Sequence, residues 1–306
     1  MRVTALAGGT GAAKLLRGLA ACLAGPDLTI IGNTGDDTEV WGLHVSPDLD
    51  TVVYALAGRL DVARGWGRAE ETFHCLEAMA ALGAPSWFAL GDRDLATHLA
   101  RTAWLRAGEP LSDVTARLAS RLGVTARVLP MSDDPVRTVV HTTHARLAFQ
   151  EYFVRDRAAS DVIAVDYVGA PAARPGPGVL AAITEADLVV VCPSNPVTSV
   201  GPILAVPGIA AALAATRTVV GISPIVGGAP VSGPAGRLMR ARGLEVSPLG
   251  VAAAYAPWLR TLLIDARDRD AATALERAGV RAVVAEVVMT DPAREVALAR
   301  RVLEAA

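Results

Sequence analysis

Residues 3–19 read VTALAGGTGAAKLLRGL. Val3–Ala7 is a short apolar run. Gly8, Gly9, Thr10 and Gly11 interrupt it, and from Lys14 onward Leu15, Leu16 and Leu19 recur at helical spacing. Strand, glycine-rich turn and helix together open an α/β fold. Glycines at such a turn let an anion approach the backbone, and the first N–H groups of the helix carry a partial positive charge. Gly8, Gly9, Thr10 and Gly11 are therefore candidate phosphate-binding residues. Lys14, the only lysine in the chain, is the candidate cationic contact. The stretch is not a Walker A loop, and it lacks the third glycine of a dinucleotide fingerprint, whose place lies near Lys14.

Further apolar runs follow: DLTIIGN, VIAVDYV, ADLVVVCP, RTVVGISP and RAVVAEVV. They are continuous rather than alternating, as strands covered on both faces require. Helical patterns lie between several of them, including Lys14–Leu23 and Ile203–Ala215. The expected architecture is a single α/β domain over residues 1–306. It has a Rossmann-like, mainly parallel sheet with helices on both faces. Residues 60–122, including GWGRAEETFHCLEAMAALG and DLATHLARTAWLRAG, form a mostly helical insertion or cap. Gly169–Gly178, GAPAARPGPG, reads as an exposed loop or flap.

The chain has 306 residues, 52% of them hydrophobic, and a net charge of −2. The charge excludes a broad basic field for nucleic acid or anionic membrane. The longest apolar stretch, VGPILAVPGIAAALAA, holds two prolines and is short for a membrane span. Cys22, Cys75 and Cys192 show no metal spacing and fit reduced thiols. With no charged-then-apolar leader before Val3, the expected location is the cytoplasm.

Polar segments cluster just after strands, which is where open α/β sheets bind ligands. GNTGDDTEVWGLHVSPDLDT, Gly32–Thr51, holds Asp36, Asp37, Asp48 and Asp50 with little nearby base, a donor set that suits Mg²⁺. Asp92 or Asp94 can cap the helix in which His98 and Arg101 share a face. LPMSDDPVRT, Leu129–Thr138, reads as a turn. Pro193-Ser194-Asn195-Pro196 is a stiff loop offering a hydroxyl and an amide, and the stretch Ser223–Ser232 repeats that logic. His141 and His144 fall on opposite faces of a strand-like stretch, which argues against a metal pair. Trp66, Trp87 and Trp104 read as core. Trp41, inside the acidic loop, is the tryptophan placed to meet a ligand.

These motifs, in this order across almost the whole chain, closely resemble the 2-phospho-L-lactate transferase family of coenzyme F-420 biosynthesis. They are GGTGAAKLLRGL, NTGDD, SPDLDT, GDRDLATHLARTAWLRAG, LPMSDDPVRT, CPSNPVTSVGPI and SPIVGGAPVSGPAGRLM. The resemblance implies transfer of a phospho-linked three-carbon acid from a guanosine diphosphate-linked donor to the ribityl hydroxyl of the deazaflavin Fo. GMP is released and (dehydro) coenzyme F-420-0 is formed, with Mg²⁺ as cofactor and a homodimer as the working form. It implies metal binding at Asp50, with Asp36 and Asp37 beside it. Asp37, Asp50 and Lys14 take the catalytic roles. Gly8, Gly9, Thr10, Gly11, Asn33, Thr34, Trp41, Ser194, Asn195, Ser223, Gly227 and Ser232 hold the ligands, and the helical cap helps enclose the deazaflavin. A non-enzymatic regulator that binds nucleotide sugars is the competing reading, from a related family sharing the GGTG opening. Its glycine- and serine-rich continuation is replaced here by TEVWGLHVSPDLDT. A nicotinamide-dependent oxidoreductase is disfavoured by the missing third glycine.

Overall fold

The computed structural model describes residues 1–306. Seven short strands pair in parallel: β1 Val3–Ala7, β2 Leu28–Gly32, β3 Arg127–Pro130, β4 Leu188–Val191, β5 Val219–Ile222, β6 Thr261–Ile264 and β7 Arg281–Val284. Across the sheet they run β7-β6-β5-β4-β1-β2-β3. Val3 lies level with both Leu28 and Leu188. The strand order reverses between β1 and β4, and their carboxyl ends therefore flank a crevice. This is the Rossmann-like arrangement expected from the apolar runs.

Alternation along the strands sends successive side chains to opposite faces. Val3, Ala5, Ala7, Leu188 and Val190 enter one buried cluster, with helix α1 (Gly9–Cys22), α2 (Pro47–Leu56) and the C-terminal helix Pro292–Glu304. Leu6, Val189 and Val191 enter the other, with Ile183, Ile203, Leu213, Leu238 and Val251 from helices on the far face. Both faces are dry, so the strands read as unbroken apolar runs.

Three expectations need correction. VIAVDYV is a strand, Val162–Val168, but it belongs to a separate three-stranded antiparallel sheet with Arg137–Thr142 and Arg146–Ala148. It is covered on one side only, and Ile163 is exposed. Its place in the parallel sheet goes to β3 and β6, whose four-residue runs are too short to stand out. Gly169–Gly178 is not a free flap. Ala170 and Ala173 are buried, the Gly176 N–H donates to the Met131 carbonyl at 2.9 Å, and Ser132 Oγ donates to the Arg174 carbonyl at 2.6 Å. Within 60–122 the helices are His74–Ala81, α3 (Asp92–Arg106) and Leu111–Arg121. Residues 61–73 are turns and loop, with Gly65 and Gly67 at positive φ. Glycines in the left-handed region cannot continue an α-helix.

No single helix is long and apolar enough to cross a membrane. The apolar stretch 200–215 folds as two short helices, Gly201–Ala205 and Ile209–Ala215, which continue a π-turn at Pro196–Val200. The bend between them is 91°.

Helix α1 crosses the C-terminal helix at Gly18, where an added Cβ would lie 2.2 Å from the Glu295 carbonyl oxygen. The guanidinium of Arg17 pairs with the Glu295 carboxylate, its Nε donating at 2.9 Å. Replacing a mid-helix glycine by alanine ordinarily gains about 1 kcal/mol. Here backbone stands in the way, so Gly18→Ala is expected to lose about 1–3 kcal/mol. Urea unfolding of the two proteins measures this, and a gain in midpoint would refute the close crossing.

Candidate functional site

The crevice between the ends of β1 and β4 opens into a cavity of about 790 Å³. Its floor is polar: Gly8 to Gly11, Lys14, Asp36, Asp48, Asp50, Ser194 and Asn195. Two aromatic walls rise from it. Trp66, Trp87 and Phe88 come from the insertion, and Phe149 and Phe153 from the segment between the antiparallel strands Arg146–Ala148 and Val162–Val168. Trp87 and Phe88 meet edge to face at 5.7 Å, and Phe149 and Phe153 stack at 5.5 Å. A charged floor between flat apolar walls suits a ligand that joins phosphate groups to an aromatic ring.

The floor is held by short links between motifs far apart in sequence. Helix α1 begins at Gly9 without a side-chain cap from its own N-terminal residue. Its Gly9 N–H donates instead to Asp48 Oδ1 at 2.8 Å, while Asn33 Nδ2 donates to Asp48 Oδ2 at 2.9 Å. Ser194 Oγ donates to the Gly8 carbonyl at 2.8 Å. An added Cβ at Gly8 would lie 2.5 Å from Asp48 Oδ2, and one at Gly11 2.4 Å from the Pro193 carbonyl oxygen. Both glycines are thus demanded by packing as well as by any anion. Lys14 Nζ donates to the Met289 carbonyl at 3.0 Å, which leaves two of its protons for a ligand.

The acidic loop splits its carboxylates between different partners. Pro47 occupies the first turn of α2, where Asp48 and Asp50 favour the helix dipole. Two positions apart, they face different ways. Asp48 turns to α1. Asp50 turns to α3, where the fully buried Arg101 grips both of its oxygens, Nη1 donating to Oδ2 at 3.0 Å. His98 Nδ1 accepts from Arg101 Nη1 at 3.2 Å, and Tyr54 donates to Asp94 Oδ1 at 2.6 Å. Asp37 Oδ2 accepts from Ser46 Oγ at 2.8 Å and lies 2.9 Å from His44 Nε2. Asp36 Oδ1 and Asp37 Oδ1 are buried with no donor.

Burial pushes the Asp36 carboxyl well above the usual range, and the neighbouring Asp48 charge raises it further. Burial also lifts Asp48, to about 6, against the bonds from Asn33 and Gly9 that favour its ionised form. Hard oxygen donors with unmatched negative charge are what a divalent cation neutralises, and Asp36, with one buried oxygen unpartnered, lines the cavity. The fit is to an ion that takes one or two carboxylates and completes its shell elsewhere. No three His, Cys, Asp or Glu side chains converge tightly enough to hold a metal by themselves.

Of the residues expected from sequence, Gly8, Gly9, Thr10, Gly11, Lys14, Asp36, Asp50, Ser194, Asn195, Ser223 and Ser232 all line the cavity. Asn33 lies one step behind, on Asp48. Thr34 is buried with an unpartnered hydroxyl, and Asp37 is braced behind the floor. Trp41 is outside the lining, its Nε1 donating to the Pro85 carbonyl at 2.9 Å. Gly227 is also outside, its N–H on the Asp268 carboxylate. Trp66 and Trp87, read as core, face the cavity, whereas Trp104 packs under Arg117. His141 pairs with Asp166 at 2.8 Å. The sequence counts Asp48 among the four acidic-loop carboxylates without giving it an individual role, and it does not assign Arg101, Phe149 or Phe153 to the site. The i, i+4 spacing of Phe149 and Phe153 was the available signal for one aromatic wall.

A family model described as 2-phospho-L-lactate transferase CofD matches residues 3–305. A phosphoenolpyruvate transferase of Streptomyces griseus is 50% identical, the alignment covering 100% of this chain and 98% of that one. A 2-phospho-L-lactate transferase of Methanosarcina acetivorans is 45% identical over 95% of each chain. Among solved structures, a UPF0052 family protein from Bacillus halodurans superposes with a TM-score of 0.67 at 18% identity. It covers 99% of this chain and 98% of that one, and shows the shared fold.

Two outcomes follow from the buried carboxylates. Asp36→Asn replaces a buried carboxyl whose charged form burial disfavours, so it is expected to leave the urea midpoint at pH 7 equal or higher while turnover is lost. A lowered urea midpoint would show that Asp36 is compensated. Asp48 keeps its proton up to about pH 6 in the folded chain but releases it near 3.8 when unfolded. Between those values the native state binds more protons, so this group's contribution falls as pH rises and is level above about pH 6. Urea unfolding from pH 4 to 7 is expected to show the wild type losing stability relative to Asp48→Asn over that window. A flat difference would contradict the assignment.

Proposed function

This chain belongs to the 2-phospho-L-lactate transferase family and is a transferase; we propose that it attaches a phospho-linked three-carbon acid to the ribityl hydroxyl of the deazaflavin Fo. The donor is the acid's guanosine diphosphate-linked form. GMP leaves, and the product is coenzyme F-420-0 or its dehydro form. The observation that carries this reading is the cavity itself, a phosphate-type floor beneath two aromatic walls at the strand-order reversal. The 50% identity to a phosphoenolpyruvate transferase favours the enolpyruvyl donor, and hence the dehydro product. A cytoplasmic homodimer as the working form rests on the family resemblance.

In the proposed transfer, the ribityl oxygen bonds to the phosphorus that bears the acid. The bond from that phosphorus to the bridging oxygen breaks, and GMP takes the electron pair. Positioning and neutralised charge supply most of the rate in such displacements. The N–H groups of Thr10 and Gly11 and the Lys14 ammonium face the diphosphate. Ser194 and Asn195 border it from the end of β4. Asp50 and Asp36 are the carboxylates that would hold Mg²⁺, with Asp37, braced by Ser46 and His44, standing behind them. Mg²⁺, when bound there, would neutralise the phosphoryl oxygens. The hydroxyl proton passes to the carboxylate cluster, where burial already biases Asp48 toward holding one. The aromatic walls would clasp the deazaflavin ring.

The test is turnover with Fo, Mg²⁺ and each guanosine diphosphate-linked donor made in situ, followed by chromatography with mass detection. The expected product comes from the enolpyruvyl donor, two hydrogens lighter than the lactyl product, and is abolished by EDTA. Folded protein that yields no product from any donor, beside a working control enzyme, would overturn the reading.

A further inference from the structure

The Asp50 carboxylate is already matched by a fixed internal cation. Arg101 is 2% exposed, and its planar fork lies on both Asp50 oxygens. It cannot swing aside easily. Nη1 also donates to His98 Nδ1 at 3.2 Å, and His98 sits 1% exposed with Nε2 3.3 Å from Asp94 Oδ1. The fork takes two of the roughly four acceptor positions of a carboxylate. Asp50 can therefore still reach a metal ion, but with a guanidinium charge a few ångströms away. Asp48, beside it, has given both its oxygens to Gly9 and Asn33. Asp36, one oxygen of which has no donor, lines the cavity, and no set of three acidic, His or Cys ligands is present.

We propose that the divalent cation enters together with the donor diphosphate and not before it, and that Arg101 is the positioning residue of Asp50 that enforces this order. This rests on the metal-dependent transfer proposed above. In the free enzyme, Arg101 repels an incoming cation and leaves too few ligands to hold it. The diphosphate supplies the missing oxygens and the negative charge that outweighs Arg101. The fork meanwhile keeps Asp50 aimed at the cavity, a task that the point charge of a lysine does not perform.

The experiment is Mn²⁺ binding to the full-length protein followed by electron paramagnetic resonance, with and without GDP, the Mn²⁺–GDP complex in solution serving as baseline. For the wild type, GDP is expected to tighten Mn²⁺ by about tenfold or more, since charges this close interact strongly even at moderate dielectric. Arg101→Met is expected to bind Mn²⁺ without GDP about tenfold more tightly than the wild type. Arg101→Lys keeps the charge, so its Mn²⁺ affinity should stay within about threefold of the wild type while kcat falls. Wild type that takes Mn²⁺ equally well with and without GDP overturns the order of entry, whether or not Arg101→Met folds. A folded Arg101→Met with wild-type Mn²⁺ affinity overturns the role of Arg101. Asp50→Asn separates the two levels: loss of Mn²⁺ in the presence of GDP upholds the metal reading. Unchanged affinity removes Asp50 from the metal site and takes the inference with it.

Discussion

The contact on which the site depends is the carboxylate of Asp48 against the first N–H of helix α1. A helix N-terminus at the strand-order reversal is a positive end looking for an anion. Asp48 supplies one from the first turn of α2, thirty-nine residues further on, and Asn33 holds its other oxygen. Three chain segments, following β1, following β2 and opening α2, are thereby fixed to one another. Gly8 is small because Asp48 and Ser199 leave no room for a Cβ.

The rest of the fold serves that junction. Two apolar clusters, one on each face of the sheet, stiffen the strands whose ends carry the polar loops. Hydrophobic burial does this without direction, so it needs only apolar residues of fitting size. The insertion contributes differently. Through Arg101, His98 and Asp94 it carries the partners of the acidic loop, and through Trp66, Trp87 and Phe88 it forms one wall. It is therefore part of the site's electrostatics as well as its cover.

The site concentrates features that a stable protein would otherwise avoid. Two carboxylate oxygens, on Asp36 and Asp37, are buried without donors, and Asp36 and Asp48 are pushed toward protonation. Buried unmatched charge is costly. Its gathering at one cavity, beside an Asp50 carboxylate whose charge Arg101 already balances but whose remaining acceptor positions are free, marks the groups left for ligands. That arrangement is what makes a donor-bound cation chemically sensible in the proposed reading.

Much was legible in the residues alone. Dry strands must be apolar throughout, so the five apolar runs that do join the parallel sheet announced it. Glycines after β1, the acids after β2 and Ser-Asn after β4 announced polar groups at its carboxyl edge. The order of those motifs sufficed for the family. What the chain could not declare by itself is direction and partnership. Asp48 and Asp50 are two residues apart, yet only packing sends one to α1 and the other to Arg101. Trp41 and Trp87 look alike in sequence, and only the path of the insertion turns one toward Pro85 and the other into the cavity. VIAVDYV has the composition of a covered strand and lies half exposed in a second sheet, because it pairs antiparallel with the nearby strand Arg137–Thr142 instead of entering the parallel sheet. Local patterning determines which elements form. Which side chains meet is decided by long-range packing, whose contacts leave no periodic trace in the sequence.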